Sequence, residues 1–216
     1  MEEAGIMVKR IAIEKYIGLS ESLVGETMEV RDDVVTVFIA REKFSVVRPG
    51  VFLLVSSGDG GLIGLVGTKI SKTKYGGEFT SVVLDFGEDA EKMYGDLENE
   101  YLYTVDIIPI YEVDGGGNVK SFFSLVVKPH QPVYLLEEDD VESILFDGEL
   151  DLSFLLYVKL DDYILCRNLF LYLYETFKGR VSLDTLLYEF LSYAYRNGSS
   201  LEIVVNVFKE VGRSVE

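Results

Sequence analysis

The sequence has almost none of the residues on which most metal and nucleophilic chemistry depends. Among its 216 residues there is one cysteine, Cys166, and one histidine, His130. A lone cysteine excludes an internal disulfide and a cysteine metal cluster. A lone histidine between Pro129 and Gln131 is typical of a structural or solvated residue and not of a catalytic base. The sequence therefore predicts no catalytic residue and no metal site.

Positive charge is also scarce. Twenty Lys and Arg stand against 37 Asp and Glu, which gives a formal net charge of −17. Residues 1–145 hold 26 acids and 13 bases, and residues 146–216 hold 11 and 7. An acidic field of this size repels phosphate backbones, so direct nucleic-acid binding is not expected.

Long apolar runs, tryptophan and glutamine are missing as well. No apolar run reaches the roughly 18 residues that would span a bilayer. The N-terminus MEEAGIMVKRIAIEKY lacks the basic start and the cleavage site of a signal peptide. We therefore expect a cytoplasmic protein that does not bind membranes. The absence of tryptophan and the single glutamine point to a thermophilic source, in which thermolabile residues are scarce.

What the chain does have is a series of β-branched and aromatic runs separated by glycine turns. The runs are VVTVFIA (34–40), VFLLV (51–55), LIGLVGTKI (62–70), EFTSVVLDF (78–86), YLYTVDIIPIY (101–111) and VKSFFSLVV (119–127). Such residues favour strands. Pro49, Gly50 and the SGDGG segment at 57–61 are typical of turns. Short strands at close spacing predict a small antiparallel β-barrel, which we assign to residues 1–145.

Two acidic segments interrupt this pattern. Residues 85–100 hold seven acids and one base, and residues 137–142 (EEDDVE) hold five acids. The second segment predicts a short helix toward Leu145, because acids favour helix N-termini. Neither segment has the ordered spacing of a metal site, so we interpret both as solvated acidic faces.

The C-terminal segment, residues 146–216, is predicted as a second domain, and two interpretations of it stay open. In the first, LFLYLY (169–174) and LEIVVNVF (201–208) are strands, and Ser182 caps a helix between them. The order strand, loop, helix and strand is half of an α/β nucleotide-binding fold. Together with the N-terminal barrel, it predicts an α+β protein.

The second interpretation replaces both strands with helices. Three helices over 164–178, 182–196 and 200–211 would then form a winged-helix-like domain. Apolar runs rich in tyrosine fit both the 3.6-residue period of a helix and the two-residue period of a strand, so the pattern alone leaves this choice open.

The segment YETFKGRV (174–181) lies where a phosphate-binding loop would lie in the first interpretation. Such a loop needs glycines so that backbone N–H groups can approach the phosphates. It also needs a lysine for their charge and a Ser or Thr hydroxyl for Mg²⁺. Here Tyr174 and Phe177 stand at the first two glycine positions, and only Gly179 remains.

The rest of the segment is altered too. Arg180 keeps the charge of the lysine but not the shape of an ammonium group. Val181 cannot ligate magnesium, and Ser182 comes one position late. We therefore predict no ATP hydrolysis and no cofactor, with Gly179, Arg180 and Ser182 as vestigial nucleotide-binding candidates. If the segment is helical, Gly179 is a helix C-cap and Ser182 the next N-cap.

Several segments, in order, resemble HerA-type DNA translocases, archaeal hexameric ATPases that work with a partner nuclease in DNA end processing. The resemblance begins at KYIGLSES (15–22) and continues through residues 44–70. It extends to VDIIPIYEV (105–113) and KPHQPVYLLEEDDVESIL (128–145). The resemblance implies that the N-terminal part is the small HAS barrel that these enzymes share with rotary ATP synthases.

The C-terminal half resembles the family's approach to its ATP site. Arg167 and Asn168 stand where the family has an Arg–His pair ahead of an apolar strand and the P-loop. IVVNVFKEV (203–211) resembles the following strand and its ending, with Asn206 at an aspartate position and Glu210 at a glutamate position. The resemblance implies a truncated, degenerate P-loop ATPase half that resembles the start of a RecA-like core.

From this resemblance we expect a non-catalytic relative that acts through protein contacts, as an adaptor or regulator in DNA end processing and repair. Its expected partner is a translocase or nuclease subunit, and a homo-oligomer is the second kind of assembly considered. An alternative from another class is a small ligand-binding or enzymatic β-barrel, which a deep pocket would favour and a filled barrel would not. A third is DNA binding by a winged helix through Lys178, Arg180, Arg196 and Lys209, which the acidic balance disfavours.

Overall fold

Six antiparallel strands close into a barrel in the computed structural model, which describes residues 9–18, 21–31, 34–58, 60–74, 101–121 and 127–215. The strands of the sheet are β1 (Leu23–Val30), β2 (Val35–Ile39), β3 (Phe52–Ser56), β4 (Gly61–Lys74), β5 (Tyr101–Val113), β6 (Val119–Lys120) and β7 (Pro132–Leu135). Their hydrogen-bonded order is β2-β1-β7-β3-β4-β5, and β2 also pairs with β5, which closes the ring. The short β6 only extends the end of β5. The predicted small antiparallel barrel is confirmed.

The runs that the sequence marked as strands map onto β2, β3, β4 and β5. At the turn of the β3–β4 hairpin, Ser56 pairs with Gly61, and the N–H of Ser57 donates to the carbonyl of Gly60 at 3.0 Å. The predicted strand at 78–86 and the acidic segment 85–100 lie outside the described residues. Of the run 119–127, the structure describes β6 at its start and Val127 at its end.

Side chains of alternating residues fill the barrel and cover its outside, as the two-residue period of a strand requires. On β3, Leu53 and Val55 point inward, whereas Phe52 and Leu54 pack outward against the helices. Every strand of the ring contributes apolar or aromatic side chains to one buried cluster. They are Val24, Val35, Val37, Ile39, Val47, Leu53, Val55, Leu62, Val66, Tyr103, Val105, Ile107, Val127 and Val133.

Four helices follow or cover the barrel: α1 (Glu138–Leu145), α2 (Tyr163–Thr176), α3 (Leu183–Asn197) and α4 (Leu201–Val215). The short helix predicted toward Leu145 is therefore confirmed as α1. Between α1 and α2 lie a two-stranded hairpin, β8 (Phe146–Asp147) and β9 (Glu149–Leu150), and a 3-10 turn at Ser153–Leu156. None of the described helices is long and apolar enough to cross a membrane.

The two strands predicted in the C-terminal segment are wrong. Residues 169–174 lie inside α2 and residues 201–208 lie inside α4, and residues 151–215, all of them described, contain no strand. The RecA-like α/β start is thus replaced by the three helices of the second interpretation. The reason is packing, because an apolar face that follows the helical period overrides the β-propensity of single residues.

That helical period is visible in the buried residues. In α2 the buried set is Leu165, Cys166, Leu169, Phe170 and Leu173, and in α4 it includes Val204, Val207 and Val211. Spacings of three and four residues place each set on one helix face. Asp162 begins α2 by accepting hydrogen bonds from the backbone N–H groups of Ile164 and Leu165.

One apolar cluster joins the outer face of the barrel to the helices. The ring of Phe52 on β3 meets Phe154 edge-on at 5.6 Å and Tyr172 of α2 at 5.8 Å between ring centroids. Gly50, with φ +90°, lets the barrel backbone approach α2 so closely that a Cβ there would be 2.7 Å from the backbone nitrogen of Leu169. The cluster crosses the boundary predicted between residues 145 and 146, which itself stays a prediction.

Candidate functional site at the turn between α2 and α3

The turn that links α2 to α3 contains the segment that the sequence compares with a phosphate-binding loop. Four of its backbone N–H groups, those of Phe177, Lys178, Arg180 and Val181, donate to carbonyl oxygens of the same turn or of α2. The N–H of Phe177 donates to the carbonyl of Leu173 at 3.0 Å, and those of Arg180 and Val181 donate to the carbonyl of Phe177 at 3.0 and 3.1 Å. A phosphate site needs such groups pointing at the ligand. Here they close the end of a helix.

Two of the vestigial candidates have conformational roles in this turn. Gly179 has φ +85°, a region that glycine adopts without strain, and no described atom lies within 4 Å of the position of a Cβ. The Ser182 hydroxyl accepts a hydrogen bond from the backbone N–H of Thr185 at 3.1 Å and caps α3. The predicted N-cap is therefore confirmed. The C-cap of α2 is Phe177, not Gly179 as the helical interpretation predicted, and Gly179 lies two residues beyond it.

The third candidate, Arg180, contacts α1 and β8. Its guanidinium donates to the carboxylate of Glu142 in α1 and lies 5.7 Å from the ring centroid of Phe146. The ring of Phe146 stacks on Phe177 at 5.9 Å. An arginine over an aromatic face and beside a carboxylate gains from both contacts. Arg180 thus connects α1, β8 and the turn.

Two further positions singled out by the family resemblance meet elsewhere. Arg167 of α2 donates from Nε to Oε1 of Glu210 in α4 at 2.6 Å, and the hydroxyl of Tyr163 donates to the other oxygen of Glu210. Phe177 lies ten positions after Arg167, which is about 15 Å along a helix. Arg167 and Glu210 therefore form a bridge between two helices and do not share a site with Arg180.

The remaining family positions, Asn168 and Asn206, take no part in that bridge. Asn168 is half-buried on α2, where its backbone carbonyl carbon lies beside Gly50. Asn206 is exposed on α4. The structure therefore distributes the sequence candidates over four places: the turn, the α2–α4 bridge, the junction of α2 with the barrel and the exposed side of α4.

Sequence reasoning missed a polar cluster at the start of α1. The buried hydroxyl of Tyr16 donates to Oδ2 of Asp140 and accepts from the backbone N–H of Glu137 at 3.0 Å. The Nζ of Lys15 lies 2.9 Å from Oε2 of Glu137 and 2.7 Å from Oδ2 of Asp140. Burial raises the pKa of Tyr16 far above its usual value, and the carboxylate of Asp140 adds to that rise. The signal was present in the sequence as the adjacent residues Lys15 and Tyr16.

The acidic segment 137–142 is thus not simply a solvated face. Glu137 and Asp140 bind Lys15, and Glu142 binds Arg180, whereas Glu138 and Asp139 are exposed. The interpretation as a solvated face also fits Glu137, which is exposed although paired, and is wrong for Asp140 and Glu142, which are half-buried. Their role is to fix α1 to the N-terminal segment on one side and to the α2–α3 turn on the other.

The single histidine and the single cysteine take no part in these polar clusters. His130, in the loop before β7, has φ +63°, and its Nδ1 is 3.3 Å from Oε1 of the buried Glu26. Burial raises the pKa of Glu26 above its usual value, and His130 partly offsets that effect. Burial also raises the pKa of the Cys166 thiol to about 12, which keeps it from acting as a nucleophile at neutral pH.

Among the described residues, no group of three or more His, Cys, Asp or Glu side chains is disposed to hold a metal ion. The polar clusters are ion pairs and helix caps, which join elements to one another.

No family model matches the sequence, and no curated protein matches it. The resemblance to HerA-type translocases therefore stays a prediction from the segments quoted above.

Proposed function

We propose that this protein is a non-catalytic protein-contact module, a relative of HerA-type translocases that acts as an adaptor or regulator of a translocase–nuclease assembly. The observation that carries the proposal is the filled barrel. Its interior is occupied by buried side chains such as Val37, Leu53 and Ile107, each 0% exposed. A barrel of this size has room for its own side chains or for one small ligand. A filled one leaves the outer surface to carry the function.

The α2–α3 turn supports the non-catalytic part of the proposal. The N–H groups of Arg180 and Val181 are bound to the carbonyl of Phe177, and the charge of Arg180 is matched by Glu142. Binding a nucleotide there would break these contacts without supplying the lysine and hydroxyl that phosphoryl transfer requires. We therefore propose that the protein neither hydrolyses ATP nor needs it as a cofactor.

The negative net charge of the chain supports a protein partner with a basic surface. A formal net charge of −17 favours rapid encounter with a basic surface and repels DNA. Translocases and nucleases handle DNA and present basic surfaces to it. An acidic module would meet such a protein on that kind of surface and not through the nucleic acid.

The test uses a purified HerA-type translocase and its partner nuclease from the same organism. Each is immobilised in turn, and binding of the full chain is measured by interferometry at low and high salt. We expect saturable binding to one of them that weakens as salt rises, because screening removes the charge attraction. The rates of ATP hydrolysis and of nuclease action are then measured with and without the chain.

The decisive comparison is between the binding of the chain and its effect on the rates of ATP hydrolysis and nuclease action. Binding with a changed rate supports a regulator, and binding with an unchanged rate supports an adaptor. Absence of binding to either protein at low salt, where charge attraction is strongest, contradicts the proposal.

A further inference from the structure

An apolar stripe runs along the solvent side of α3. Asp184, Tyr188, Leu191 and Tyr195 follow one another at spacings of four, three and four residues, which keeps them on one side of a helix. The opposite face buries Leu186, Phe190 and Ala194. Among the described residues, Tyr195 and Tyr188 are the most exposed large apolar side chains, at 77% and 70%. Leu191 is half-buried and also packs against the apolar cluster, whereas Asp184, Tyr188 and Tyr195 are exposed.

We propose that the stripe binds a second copy of this chain, with the two α3 helices antiparallel about a two-fold axis. This proposal is independent of the translocase partner. A two-fold interface requires that residue i of one copy meet residue j of the other, and j meet i. The spacings of four, three and four residues are the same when α3 is followed from either end. An axis between residues 189 and 190 therefore places Tyr188 opposite Leu191 of the second copy, and Asp184 opposite Tyr195.

The charges at the ends of the stripe favour the same arrangement. Asp184 is exposed in the first turn of α3, and Arg196 is exposed in its last turn. In the antiparallel pair, Arg196 of the second copy follows Tyr195 and lies beside Asp184, so two symmetric ion pairs flank the tyrosines. The guanidinium of Arg196 already lies 5.5 Å from the ring centroid of Tyr193, which holds it at this end. A parallel pair would set like charges against each other.

The size of the stripe predicts a weak dimer. A buried tyrosine contributes about 150–250 Å², so the exposed parts of Tyr188 and Tyr195 supply roughly 300 Å² per copy. A standard interface buries about 800 Å² per partner. We therefore expect a dissociation constant on the order of 10–100 µM. Because each copy carries a net charge of −17, the dimer should tighten as salt screens that repulsion.

Sedimentation equilibrium of the full chain over about 5–500 µM measures the association directly. We expect a monomer–dimer equilibrium in the wild type and at least a roughly ten-fold weaker one after Tyr188→Ser combined with Tyr195→Ser. The matched control is Tyr157→Ser, which removes a tyrosine that is 56% exposed but lies outside the stripe. The control should associate as the wild type does.

A charge exchange tests the antiparallel geometry. Asp184→Arg alone or Arg196→Asp alone should weaken the dimer, and the two together should restore it. Circular dichroism of each variant shows whether α3 is intact, and the tyrosine variants keep the test decisive if a charge variant unfolds. A monomer at every concentration overturns the proposal. So does a dimer that the tyrosine changes leave unaltered, because it would use another surface.

Discussion

Replacing Gly50 by alanine should destabilise the protein strongly, because this glycine combines two constraints. Its φ of +90° is strained for any residue with a side chain, at a cost of about 1–2 kcal/mol. A Cβ would also lie 2.7 Å from the backbone nitrogen of Leu169 and 2.9 Å from its Cα, so α2 would have to shift away from the barrel. Such overpacking costs a further 1–3 kcal/mol or so. We expect Gly50→Ala to lower the free energy of unfolding by about 2–5 kcal/mol.

The matched control is Gly58→Ala in the β3–β4 turn. Gly58 has a similar φ of +80°, but beyond its own chain neighbours no described atom lies within 4 Å of the position of its Cβ. This variant therefore carries only the conformational cost, about 1–2 kcal/mol. Urea unfolding followed by circular dichroism gives both values. Equal losses in the two variants would refute the close approach of α2 to the barrel at Gly50.

Three further predictions concern single side chains. Burial raises the pKa of Glu26, so the stability that its proton contributes is present at low pH and is lost as the pH rises through the folded pKa. Glu26→Gln should therefore gain stability relative to the wild type between about pH 4 and pH 7 in urea titrations, and a pH-independent difference would contradict this. Cys166 should not react with a thiol reagent at pH 8 until the protein unfolds, because burial raises its pKa to about 12; fast native labelling would show that it is accessible. Ser182→Ala should cost about 1 kcal/mol by removing the cap of α3, whereas Ser182→Thr should keep most of it; equal losses would refute the cap.

The barrel could be predicted from the sequence because its strands are set by local signals. The runs at 34–40, 51–55, 62–70 and 101–111 are β-branched, aromatic and bounded by turn residues, and the structure places β2, β3, β4 and β5 there. Two strands were not marked as runs. β1 contains two glutamates and Gly25, and β7 has only four residues beginning with a proline, so neither has a strong local pattern. Both form strands because they pair with neighbouring strands and so complete the ring.

The C-terminal segment could not be settled in the same way, because composition and period disagree there. LEIVVNVF has β-branched residues that favour strands, yet Val204, Val207 and Val211 lie at helical spacing and are buried on one face of α4. A helix forms because that face packs against α2 and α3 and the burial outweighs the propensity of each residue. Arg180 shows the same limit for the site. Its pairing with Glu142, 38 positions away, depends on tertiary structure that no local motif contains.

Calorimetric titration of Mg²⁺-ATP tests the central claim, that the α2–α3 turn is a closed helix connection and not a nucleotide site. The wild type and Arg180→Ala are titrated side by side to millimolar nucleotide. We expect no binding heat in either protein, because the N–H groups of Phe177, Arg180 and Val181 are already bonded and Arg180 is paired with Glu142. Saturable binding in the wild type that Arg180→Ala abolishes would contradict it and would assign this turn a nucleotide-sensing role.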